Sequence, residues 1–177
     1  MSTLSPEHAI VILNAVALPG LQSEHKLTSS VIAAIPDGKG DYTPDPVTRS
    51  AIDLAWHIAT AEIRFLDAVA KGAFDLTPKP RPADVVNGTH VNAWYTPKFA
   101  HALEQVRGLS GEQLARPIDF RGMFTFPAVT YLQLSLMHTA HHRGQLSVYL
   151  RPMGGKVPSI YGESYDARTA REQASGR

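Results

Sequence analysis

The segment AIDLAWHIATAEIRFLDAVAKG, residues 51 to 72, does most to limit what this chain can become. It carries strong helix formers for about six turns without a proline, follows Thr48 and Ser50 as candidate N-caps, and stops at Gly72. A helix this long needs other helices to cover it, and the rest of the chain supplies them. Ser5 caps a run opening on Pro6, and apolar spacing continues through residues 6 to 35, with a kink expected at Pro19 and Gly20. PDGKGDYTPDP, residues 36 to 46, resists helix and strand alike.

Beyond Gly72, FDLTPKPRPADVVNGTH places three prolines between Pro78 and Pro82 and reads as a long crossover, whose length permits a parallel helix next. Residues 91 to 109 form that helix, with Pro97 as a first-turn residue. SGEQLARPIDFRGMFTF reads as a short strand or extended loop. Pro127 then opens a fourth main helix that Pro152 and the Gly154-Gly155 pair terminate. The remainder lacks periodic apolar residues and reads as a polar, frayed end. The expected fold is all-α, a four-helix bundle with a long crossover, in a single domain over residues 1–177.

Composition narrows the chemistry. A chain of 177 residues, 44% apolar and 19% charged, can bury a core without covalent staples. A formal net charge of +1 with no run of like charges argues against nucleic acid or an anionic membrane as partner, leaving a small molecule or another copy. The absence of cysteine excludes disulfides, thiolate nucleophiles and sulfur ligands, so any metal must use nitrogen or oxygen. The N-terminus has no basic stretch before its apolar residues, and a reducing cytoplasm is the default location.

The fourth helix holds the most suggestive pattern, HTAHH. His138 and His142 stand four residues apart, which on a helix stacks their Cβ atoms roughly 6 Å apart on one face, close enough to share a metal ion. Their stripe is Tyr131, Leu134, Ser135, His138, His142, Gln145 and Tyr149, so the imidazoles are at least partly buried. Two imidazoles that close resist joint protonation, and a metal would hold both neutral. Among eight histidines an i,i+4 pair also arises by chance, and His141 competes at three-residue spacing with His138. No glutamate follows the first histidine, so the general base of the HExxH peptidases is missing. Periodicity places His57 on a solvated stripe with Asp53, Thr60 and Arg64, and His8, His25, His90 and His101 read as surface or ordinary hydrogen-bonding residues.

DYTPDPVTRSAIDLAWHIATAEIRFL and LMHTAHHRGQLSVYLRPMGGKVPSIYGESYD together resemble the DinB family of metal-dependent proteins, over most of the chain. The resemblance implies a four-helix bundle with a long crossover. It also implies one histidine on the second helix and an HxxxH pair on the fourth followed by Arg-Gly-Gln, which here are His57, His138 and His142 with Arg143, Gly144 and Gln145. It is this resemblance that turns His57 inward and makes the three histidines a joint metal site.

A site of three imidazoles keeps a position open for water or substrate, and nitrogen ligation suits zinc or nickel. Some relatives are thiol-dependent transferases or isomerases, which here would draw on a low-molecular-weight thiol as cosubstrate. Gln145 could orient a ligand; Glu24 and Tyr42 could reach the pocket but read more simply as a surface glutamate and a loop-packing tyrosine. Arg143 points off the histidine stripe toward a salt bridge or loop contact, and Trp56 and Trp94 read as core or interface anchors. Three readings follow in order. The first is a metal-dependent thiol S-transferase acting on a small electrophile, or a hydrolase. The second is a noncatalytic metal-binding stress-response bundle, and the third a structural helical dimer without metal. The resemblance favours a homodimer.

Overall fold

The computed structural model describes residues 4–176 and is mostly helical, with one small two-stranded sheet. Helix α1, Pro6–Ile12, starts at Ser5, whose hydroxyl accepts from the His8 N–H. A π-helical turn, Leu13–Ala17, joins it to α2, Leu18–Ala33. The interruption expected at Pro19 and Gly20 takes the form of this π-helical turn, just ahead of them. Pro19 sits at the first positions of α2, directly after the wider turn.

Helix α3, Ala51–Lys71, begins at Ser50, which accepts from the Asp53 N–H, and ends on Gly72 in the left-handed conformation at φ 84°. It is the most enclosed element. Ile52, Ile58 and Leu66 are sealed from solvent, and side chains of that kind each contribute roughly 1.5–3 kcal/mol when fully buried. The crossover leads to α4, Gly88–Arg107, which starts three residues earlier than expected because the Asn87 side chain caps it. Pro97 consequently lies in the helix interior rather than its first turn. The helix tolerates it because Pro97 and Ala93, whose carbonyl loses a donor, both face the exposed side.

Ser110 and Gln113 form a capping box that opens α5, Gly111–Ala115. Strands β1, Pro117–Phe120, and β2, Phe124–Pro127, then pair antiparallel, with Pro117 opposite Pro127. Pro127 thus closes a hairpin instead of opening a helix, and α6 runs Thr130–Leu150. Ser164 caps a further helix, α7, Tyr165–Ala174, where a frayed end was expected. Asp166 pairs with Arg151 at 2.9 Å and accepts from the Val157 N–H, which holds this polar helix without an apolar stripe.

The long helices pack in a cycle: α3 lies against α6 and α4, and α2 against the same two. Trp56 meets Trp94 at 4.6 Å between ring centroids, and Ile63 and Asp67 share a cleft with Pro97 and His101, so α3 and α4 run parallel, as the crossover permits. Helices α2 and α4 are antiparallel, with the Asn92 amide donating to the Ser29 carbonyl. Their approach requires Gly88, since a Cβ there would lie 2.0 Å from the Ile32 carbonyl oxygen. No helix among the described residues is long and apolar enough to cross a membrane.

Candidate metal centre

Helix α3 presents His57 toward α6, which presents His138 and His142 from one face. The three ring centroids stand 4.4 to 5.0 Å apart. One nitrogen from each ring lies within 4.8 Å of the others, a group that could hold a metal ion. A tetrahedral centre with metal–nitrogen bonds of about 2.0–2.1 Å separates its nitrogens by about 3.3 Å. His57 Nε2 and His142 Nε2 are 3.2 Å apart.

Protonation states fit the same use. Burial, reinforced by Arg49 and His142, pushes His57 down to about 4. Burial with the neighbouring imidazoles does the same to His138, also about 4, and burial lowers His142. All three are neutral at pH 7 and offer lone pairs. His142 Nδ1 donates to the Gln145 side-chain oxygen at 2.7 Å, which fixes the tautomer that leaves Nε2 free toward His57. His138 keeps its Nδ1 buried without a partner among the described residues. Among the described residues no carboxylate joins the three rings, so a metal held here would keep open positions.

The other sequence candidates sort cleanly. His141 is exposed, beside His142 at 4.8 Å, and takes no place in the triad. Tyr42 packs on Tyr149 at 5.9 Å. Glu24 turns away from the histidines to bind Arg143 at 2.5 Å, so Arg143 forms the salt bridge expected of it. His25 is not a surface residue: it is 8% exposed and stacks on Phe99 at 3.9 Å, with Glu62 and Tyr95 beside it. Trp56 is buried and donates its indole N–H to the Lys79 carbonyl.

Sequence reasoning missed the walls of the site. On one side Phe65, Phe124, Met137 and His138 line an apolar cavity of about 330 Å³, roofed by the β1–β2 hairpin. The phenylalanines of that hairpin stack in series, Phe120 on Phe124 and Phe124 on Phe126. On the other side a cavity of about 480 Å³ brings Arg49 to His142 and Gln145. The alternating Phe124 and Phe126 signalled a strand, yet nothing in their spacing says which helix the strand covers.

Comparison with known proteins agrees with this architecture. An uncharacterised protein of Bacillus subtilis (strain 168), YjoA, is 30% identical over 134 residues, 75% of this chain and 85% of that protein. The crystal structure of the DinB-like YjoA superposes with a TM-score of 0.67 at 25% identity, covering 82% of this chain and 98% of the other. A DinB-like protein from Bacillus cereus ATCC 10987 gives 0.69 at 24% identity, over 82% and 95% of the two chains. The model of the DinB family matches residues 14–174, and with that span the chain belongs to the DinB family.

Proposed function

We propose that this protein is a metal-dependent enzyme that uses His57, His138 and His142 to hold a divalent ion, zinc or nickel, and moves a low-molecular-weight thiol onto a small electrophile. The observation that carries this reading is the set of three neutral imidazoles from two helices with ligand atoms within 4.8 Å. Hydrolysis of a small substrate is the related reaction the same site would serve.

Bound there, the ion would supply Lewis acidity, lowering the pKa of a water or thiol at its open position. The chain does the rest. Burial keeps the rings unprotonated, Gln145 holds His142 in its ligating tautomer, and the aromatic hairpin shields one flank from water. With no cysteine in the chain, the sulfur must come from a cosubstrate. The cyclic packing of α2, α3, α4 and α6 supports a four-helix bundle forming one domain. Exposed Val11 and Ile12 on α1 and Val16 in the π-helical turn support a homodimer, and the cysteine-free chain a cytoplasmic location.

The test is metal content by mass spectrometry on tag-free protein. About one zinc or nickel per chain is expected in the wild type, with at least tenfold less in His57→Ala, His138→Ala and His142→Ala. Retention in His57→Ala would remove that ligand. Absence of metal after reconstitution would end the enzymatic reading, whereas metal without thiol turnover would favour a noncatalytic metal-binding bundle.

A further inference from the structure

The two cavities flanking the three histidines differ in chemistry. The hairpin side is almost wholly apolar, whereas the opposite cavity is lined by Arg49, His142, Gln145, Tyr149 and Leu54 among others, with no acidic residue. Arg49 is exposed, and among the described residues its guanidinium has no ion pair, hydrogen bond or aromatic partner. Other arginines along α3 are better provided for: Arg81 pairs with Asp53, Arg64 donates to the Thr77 carbonyl, and Arg116 donates to the Val69 and Ala70 carbonyls.

A guanidinium without an ion-pair partner beside a cation site leaves positive charge unbalanced in that cavity. Arg49 and His142 line the same cavity, and the carboxylate that feels Arg49, Asp53, is already bound by Arg81 at 2.6 Å. A divalent ion would deepen that positive field. The species that relieves it is an anion lying between Arg49 and the centre, and a planar carboxylate matches the fork of a guanidinium.

We infer that Arg49 binds the carboxylate of the thiol that reacts at the centre, making its cavity a subsite for a small anionic thiol. The inference rests on the function proposed above. It leaves the hairpin cavity, which has no cation to offer, for the apolar part of the electrophile.

The experiment uses the full chain loaded with cobalt(II), whose thiolate charge-transfer band reports sulfur binding. Titration with 3-mercaptopropionate and with 3-mercaptopropan-1-ol, equal in length and differing in charge, gives a ratio of affinities. The wild type should favour the acid about tenfold. Arg49→Gln should bring the ratio close to one with cobalt content unchanged, Arg49→Lys should keep part of it, and Phe124→Ala should leave it alone. A ratio near one in the wild type, or a tenfold ratio that survives Arg49→Gln, overturns the inference while the metal reading stands. Failure to hold cobalt, or no band with either thiol, overturns the open thiol-accepting centre and this subsite with it.

Discussion

Two faces of helix α6 carry polar clusters one residue apart, and they are built on opposite terms. Toward α2, Arg143 is 2% exposed and spends its donors inside the chain: one guanidinium nitrogen reaches Glu24 at 2.5 Å and the Thr28 hydroxyl at 3.3 Å, and the other reaches the Tyr161 hydroxyl at 2.5 Å. Toward α3, His138 and His142 meet His57 with nitrogens that have little to offer one another. Both clusters sit among packed helices, yet the first closes on itself and the second awaits a third party. The difference separates a polar group kept for structure from one kept for chemistry: count the partners, not the charges.

The sharpest way to break the comparison is to remove Arg143. Arg143→Met leaves the Glu24 carboxylate without its cation in a poorly hydrated setting, and a loss of about 3 kcal/mol in urea unfolding is expected. The double variant Arg143→Met with Glu24→Gln should recover much of that, since no lone charge remains. If the single change costs under about 1 kcal/mol, the cluster is not the self-sufficient one described.

On the other face the expected effects appear in ligand affinity and hardly at all in folding. Gln145→Ala removes the acceptor for His142 Nδ1 and should weaken zinc binding by about tenfold to a hundredfold, while the apo protein unfolds within about 0.5 kcal/mol of the wild type. Competition with a chromophoric chelator reads the first number and urea titration the second. Unchanged zinc affinity would mean that the tautomer is set by something other than Gln145.

How much of this was readable beforehand depends on what each residue answers to. Helix α3 was plain because Ser50, Gly72 and an unbroken run of helix formers are local signals. The burial of His25 was hidden because it depends on Phe99 and Glu62, far along the chain, and no local pattern announced the π-helical turn. His57 is instructive. Spacing set it on a polar stripe, but Thr60 is buried and bonds back to the Trp56 carbonyl, and Asp53 is held by Arg81. Polar residues that satisfy themselves locally make a buried face look solvated, and only the family resemblance pointed the histidine inward. Arg49 left no trace in periodicity, since it precedes the helix and matters only through the loop that brings it to His142.

The smallest expected effect follows from pH, through the histidines on the α3 side of α6. His57 and His138 stand at about 4 in the folded chain against 6.5 when unfolded, through burial first. Between those values the unfolded chain binds protons that the native chain refuses, so stability rises with pH. The contribution is complete above about 6.5 and is lost as pH falls toward 4. Both rings are partly exposed, so water screens the effect and the slope is modest. The urea midpoint of the apo protein should therefore fall between pH 7 and pH 5, and fall less in a His57→Gln, His138→Gln variant, whose side chains have no proton to gain. Parallel profiles for the two proteins would mean that the imidazoles already take up protons in the native state. The cluster would then be solvated, and the contrast between the two faces of α6 would reduce to a difference in burial alone.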